Sequence, residues 1–178
     1  RSLGVPDAIS SLSETFSFND ASALEGVLQA EPDAFAAVIL EPTGTVPVAE
    51  GFLQRLRELT EKYGVIMVFD EIITGFRVHK GGAQARLGVT PDLACFGKSM
   101  ANGMPLSTIV GRRDIMMLME EVFVSGTFGG ETLSLAASIA TIDKIAREDV
   151  IERLWARGAR LVDESNKTWT TAFCQDFE

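Results

Sequence analysis

Short apolar runs alternate along the chain with amphipathic stretches. Residues 35–40 (FAAVIL) close at Glu41-Pro42, and residues 65–69 (VIMVF) close at Asp70-Glu71. Residues 93–96 (LACF) close at Gly97-Lys98, and residues 107–110 (STIV) close at Gly111. Unalternating runs of four to six residues suit strands buried on both faces. Between and after them the period becomes helical. Phe52, Leu56, Leu59 and Tyr63 form one stripe, and Gly64 stands where a C-terminal capping glycine belongs. Asn19 or Asp20 can cap a helix over residues 21–30. Leu135, Ile139, Ile142 and Ala146 form a second stripe. Ile151, Leu154, Trp155 and Leu161 predict a further helix after a break at Glu148-Asp149. Strand–helix–strand alternation predicts an α/β fold, a mostly parallel sheet with helices layered on its faces. The break divides the chain into residues 1–149 and residues 150–178, the latter read as the start of a second, truncated domain.

Composition narrows the function without naming it. The chain has 178 residues, is 46% hydrophobic and 23% charged, and carries a net charge of -9. That balance suits a soluble domain with a real core and argues against a nucleic-acid backbone as partner. Cys95 and Cys174 are the two cysteines and form no C-x-x-C pair, which favours a reducing, cytoplasmic setting. No apolar run reaches the roughly 18 residues of a membrane span. Residues 1–20 lack the apolar core of a signal peptide, and with no starting Met the chain is expected to begin inside a longer protein.

In open α/β sheets, ligands sit beyond the carboxyl ends of the strands. Three of the four predicted strands end in ionisable groups: Glu41, then Asp70 with Glu71, then Lys98. By position alone, structural charges account for this convergence as well as chemistry does. A nucleotide-binding reading fails on spacing. VIMVFDE has the look of a Walker B strand and Gly97-Lys98-Ser99 that of a P-loop tail, but the required first glycine is Asp92 and the order of the two elements is reversed. A G-x-G-x-x-G dinucleotide fingerprint is also absent. His79 is the single histidine, with no second ligand nearby to suggest a metal. Cys95, inside an apolar run, reads as inert core.

Longer segments carry a specific resemblance. VFDEIITGFR (residues 68–77) resembles the aspartate motif of class III aminotransferases. GVTPDLACFGKSMANGMPLSTIVGRRDI (residues 88–115) is similar to their lysine motif, and GTFGGETLSLAA (residues 126–137) to their phosphate-contacting segment. The order and spacing match over most of residues 14–160. The resemblance implies the large domain of a pyridoxal-phosphate enzyme of fold type I. It implies that Lys98 forms the Schiff base and then shuttles a proton, since an amine becomes a nucleophile once its surroundings lower its pKa. Asp70 is implied to contact the pyridine nitrogen and make the ring an electron sink. Ile72 is implied to pack on the ring, although plain core packing is the same physical act. Thr127 is implied to reach the phosphate from a neighbouring subunit, hence a homodimer with shared sites. The glycines around it and the positive end of a helix beginning near Thr132 suit an anion. Glu41 matches the family's Glu-Pro and is implied to orient an active-site arginine. Arg77 either binds a substrate carboxylate or pairs with Glu71.

Two departures qualify the match. Many members carry a Gln where Ile73 stands, and the aminomutase branch (glutamate-1-semialdehyde aminomutase) has an apolar residue there. Against that branch, SMANG follows the lysine's position and TFGGET replaces its usual loop. The expected substrates are therefore a small amine or amino acid and a carbonyl compound in intermolecular transfer, with intramolecular aminomutase chemistry as the alternative. The second departure is length: the upstream phosphate loop, the second ring-stacking aromatic and most of the C-terminal domain have no counterpart, which leaves a non-catalytic relative as a further reading.

Overall fold

The computed structural model describes residues 3–173, with side chains through residue 168; Cys174 lies outside the described residues. In chain order the elements are α1 (Asp7–Ser10), α2 (Ala21–Ala30), β1 (Ala37–Leu40), α3 (Phe52–Tyr63), β2 (Ile66–Asp70), α4 (Gly82–Leu87), β3 (Leu93–Phe96), β4 (Thr108–Gly111), α5 (Arg113–Met116), α6 (Thr132–Arg147) and α7 (Val150–Phe173). Short 3-10 turns follow β3 (Lys98–Met100) and α5 (Met117–Glu120).

The strands lie side by side in the order β1-β2-β3-β4. The first three are parallel and β4 returns antiparallel. The α/β, mostly parallel class is therefore the one observed. Parallel neighbours need a crossover, and α3 and α4 supply the two crossovers. The α3 stripe turns inward as its period predicts: Phe52, Leu56 and Leu59 are buried and Tyr63 is half-buried. These residues form one core with Val38, Met67 and Phe69 of the sheet and with Leu24 and Leu28 of α2. Gly64 takes φ 66° and ends α3. The next amide, Val65 N, returns to Thr60 O at 2.9 Å, the pairing that left-handed glycine makes cheap.

Of the two candidate caps of α2, Asp20 is the one used; its carboxyl accepts Ala23 N at 2.9 Å. Asn19 does something else. Its side chain donates to Pro47 O at 3.0 Å and accepts from Ala49 N at 2.8 Å, which ties the segment before α2 to the loop after β1.

Two expectations need correction. The strands are not all buried on both faces. Val38 is buried, but its neighbour Ile39 is 65% exposed, and Ile109 and Val110 of β4 lie open as well. One sheet face carries the α2–α3 core while the other is only partly covered. The predicted inward stripe of α6 also faces outward: Leu135, Ile139, Ile142 and Ala146 are exposed, whereas Ser134 and Ser138 are buried. Small hydroxyl residues allow α6 to approach the 3-10 turn at Lys98 closely, and α6 packs on that turn. The break before α7 falls where the sequence places it. Of the α7 stripe, Ile151 is buried and Leu161 exposed.

One buried acid joins the layers. Asp92, just before β3, accepts Met67 N at 2.8 Å, Arg57 Nη1 at 2.9 Å and Arg112 Nη1 at 3.0 Å. Its own amide donates to Met67 O at 2.8 Å and its carbonyl accepts Arg112 N at 2.9 Å. Burial pushes its carboxyl upward, but the Met67 amide and the two guanidinium groups outweigh that and hold it below the usual carboxylate range. A lowered folded value means this stabilisation is complete above the ordinary carboxyl range and is lost as pH falls through the folded value. We expect Asp92→Asn to lose about 3 kcal/mol at neutral pH, read as a lower urea midpoint with unchanged slope. The gap between variant and parent should close in acid; a gap that persists to the lowest pH would contradict this account.

Candidate functional site

The site is built at the carboxyl ends of β2 and β3. In the parallel register Asp70 pairs with Cys95, and Lys98 follows three residues later, just past the end of β3. Strands in a sheet run about 4.8 Å apart, so the two Cα atoms fall on the order of 10 Å from each other, within the span of one aromatic cofactor and a lysine arm. Asp70 and Cys95 share the half-open face of the sheet. The Cys95 thiol is pushed up first by burial and second by the Asp70 charge, as same-face neighbours require. A thiol held up in this way is a poor nucleophile, in keeping with an inert Cys95.

Lys98 is exposed and sits at φ 37°, in the left-handed region that a side chain enters at a cost of about 1–3 kcal/mol. Its neighbours hold the turn: Met100 and Ala101 are buried, and Met100 N donates to Gly97 O at 2.9 Å. Ile72 lies against this corner. A β-carbon on Gly97 would come within 3.1 Å of Ile72 Cδ1, so the position before the lysine has room only for glycine unless Ile72 yields. Asp70 Oδ1 accepts Ile72 N at 3.0 Å, which fixes the aspartate and the isoleucine relative to each other. An acid, an amine and an apolar wall thus converge on one edge of the sheet, and this donor set fits pyridoxal phosphate.

The remaining sequence-predicted residues lie further out. Glu41 is exposed past the end of β1, at the same edge, and joins none of the ion pairs among the described residues. Thr127 is exposed in the 122–130 loop, within a turn closed by Gly129 N to Gly126 O at 3.0 Å. At the α6 N-terminus two of the amides expected to face an anion already have an acceptor. Glu131 caps it, accepting Leu133 N and Ser134 N, each at 2.7 Å. The Ser134 hydroxyl and these amides hold the Glu131 carboxyl low.

Arg77 is exposed and makes no pair with Glu71, whose carboxyl is committed elsewhere. It lines a groove of about 410 Å³ with Ser99, Asn102 and Lys144. His79 Nδ1 accepts Gly81 N at 3.0 Å, a turn contact. Among the described residues no group of His, Cys, Asp and Glu could hold a metal ion, and no helix is long and apolar enough to cross a membrane. Trp155, read from sequence as helix stripe, donates its indole N–H to Val78 O at 3.0 Å, under an Arg86 guanidinium 4.5 Å from the ring. Only its unusual polar reach could have signalled that.

The model of the class III aminotransferases matches residues 5–172. The chain belongs to that family. A curated relative, glutamate-1-semialdehyde 2,1-aminomutase of Syntrophobacter fumaroxidans, is 43% identical over 171 residues, covering 92% of this chain and 40% of the relative. The chain thus spans about two-fifths of the curated relatives it matches. Among solved structures, the pyridoxal-phosphate internal aldimine form of the FumI protein from Sphingopyxis sp. MTA144 superposes with a TM-score of 0.79 at 30% identity, covering 84% of this chain and 38% of that one. An omega-transaminase from Sphaerobacter thermophilus gives 0.75 at 33% identity, covering 80% and 34%. The fold is that of these fold type I enzymes.

The shared face of Asp70 and Cys95 has a direct check. In Asp70→Asn the pH profile of Cys95 alkylation should move to lower pH, because one of the two causes raising the thiol is removed while burial remains. An unmoved profile would mean that the two side chains do not face each other.

Proposed function

We propose that the protein to which this chain belongs is a pyridoxal-phosphate-dependent aminotransferase, with Lys98 and Asp70 as its catalytic residues. The observation that carries this is the β2–β3 register, which pairs Asp70 with Cys95, three residues before Lys98, at one sheet edge. When bound, the cofactor supplies an electron-withdrawing ring that accepts the electron pair left by a departing α-proton. Lys98 Nζ would hold the cofactor's aldehyde carbon and would take the proton that leaves the substrate Cα. Asp70 would sit against the pyridine nitrogen and favour its protonated form. Ile72 forms one wall of the ring slot and excludes water from it. The substrates are an amine or amino acid and a carbonyl compound. Glu41, at the same sheet edge, orients an arginine near the substrate.

Aminomutase chemistry, in which the amino group returns to the same molecule, is the second reading. It is favoured by the relative's name and by Ile73, an apolar side chain where a hydrogen-bonding one stands in many transferases.

The partner is a second copy of the chain, with Thr127 of each copy serving the other's phosphate. Support comes from the apolar segment around that threonine: Leu118, Val122, Phe123, Phe128 and Leu133 are all exposed, Phe123 by 94%. Clusters of exposed apolar residues usually have a partner. We further propose that α7 leads into a C-terminal domain, since its outer half exposes Leu161 and Val162. A cytoplasmic setting goes with Cys95, a free thiol.

The cofactor assignment predicts that the protein, expressed from its whole reading frame, gains a visible absorption band on adding pyridoxal phosphate. Lys98→Ala should abolish it, and Asp70→Asn should keep binding but slow turnover by on the order of a hundredfold. A Lys98→Ala protein that keeps both band and turnover rejects the assignment. The dimer predicts that Phe123→Asp halves the sedimenting mass, and an unchanged mass would count against this surface.

A further inference from the structure

We propose that Glu71 is a positioning residue for Asp70 and Ile72, an inference that rests on the cofactor reading above. Its side chain is fully buried between the two functional neighbours. One carboxyl oxygen accepts Thr74 Oγ1 at 2.9 Å and the Ala83 amide; the other accepts Gln84 N and Gln84 Nε2, both at 3.1 Å. No lysine or arginine is paired with it among the described residues, so four donors alone satisfy it.

The surroundings are shaped for this carboxyl. Gly82 takes φ 75°, and a β-carbon there would overlap both Glu71 oxygens. α4 begins at Gly82 behind Gly81, a residue with no capping side chain, so the first amides of the helix need an acceptor from elsewhere. Glu71 is that acceptor, and it closes residues 71–84 into a loop.

The closed loop is docked on the lysine strand. Glu71 N donates to Cys95 O at 2.9 Å, and Gly75 N donates to Glu71 O at 2.9 Å. Gly75 lies against the Phe96 ring so closely that a β-carbon would overlap it, and Phe76 packs edge-on to Phe96 at 5.7 Å between centroids. Phe96 is two residues from Lys98. Glu71 therefore holds the chain on both sides of Asp70 and Ile72: its backbone to β3, its side chain to α4. Losing the buckle frees Ile72 and turns the Asp70 carboxyl, whose bond to Ile72 N depends on the same turn.

A purely structural buckle would predict lost stability and nothing specific to Asp70. The test compares Glu71→Gln in two backgrounds, the parent and Asp70→Asn, in the protein from its whole reading frame. In the cofactor-free protein the Ala83 and Gln84 amides should exchange hydrogen about tenfold faster. With cofactor, kcat should fall about tenfold in the parent background, but less than about twofold where Asp70 is already Asn. Equal losses in both backgrounds, or faster exchange with unchanged kcat, would overturn the positioning role. Should Glu71→Gln fail to fold, Gln84→Ala removes one of the four donors and carries the same comparison: a smaller loss dependent on Asp70 supports the role, no loss overturns it. The parent's visible band and its disappearance in Lys98→Ala are read first. Their failure would sink the cofactor reading, and this inference with it, whereas their success with equal losses sinks the inference alone.

Discussion

The register between β2 and β3 is the constraint on which the site depends. A slip by one residue would send Asp70 to the opposite face of the sheet, because side chains alternate. The buried face with Met67, Phe69, Ala94 and Phe96 favours this register. Asp92 adds to it. It grips Met67 N and O at the start of β2, Arg57 on α3 and Arg112 after β4, so strand, helix and returning strand are fixed to one point at the amino ends. At the carboxyl ends the bond from Glu71 N to Cys95 O repeats the lock. The geometry at Asp70 and Lys98 is thus determined from both ends of a strand pair only four to five residues long.

The same short sheet explains the uneven burial. One face carries α2 and α3, and its residues Val38, Met67, Phe69 and Ala94 are buried. The other, with Ile39 and Ile109, remains open, as does the apolar side of α6 with Ile139. Such surface is costly to leave in water, at roughly 25 cal/mol per Å². The exposed apolar residues around Thr127 are the part assigned above to a second copy.

Much of this was readable from residue types. The α3 stripe and the Gly64 stop rest on local rules, helical period and positive φ, and neither depends on distant partners. The strand ends and the residues at them followed from apolar runs stopped by charge. The inward face of α6 was not readable, because large apolar side chains normally point to a core. Here α6 packs on a tight 3-10 turn, and its buried residues include the small Ser134 and Ser138. The role of Glu71 escaped for a similar reason. Its nearest charge in sequence is Arg77, yet its partners lie at Thr74, Ala83 and Gln84. The signal was available in the helix start at Gly81-Gly82, which lacks a Ser, Thr, Asp or Asn cap and so demanded an acceptor from outside. Asp92 hid in plain view as the residue that disqualified a P-loop.

The conformation of Lys98 bears on whether this is a working enzyme's site or a relic. A turn needing φ 37° is met most cheaply by glycine or asparagine. A scaffold kept only for association gains nothing from lysine there, and replacing it would relieve strain. The chain instead holds an exposed lysine at that corner and anchors the strained turn on buried Met100 and Ala101, with Gly97 kept bare against Ile72. Strain offset by this much neighbouring structure supports the role proposed above for Lys98 over the non-catalytic reading.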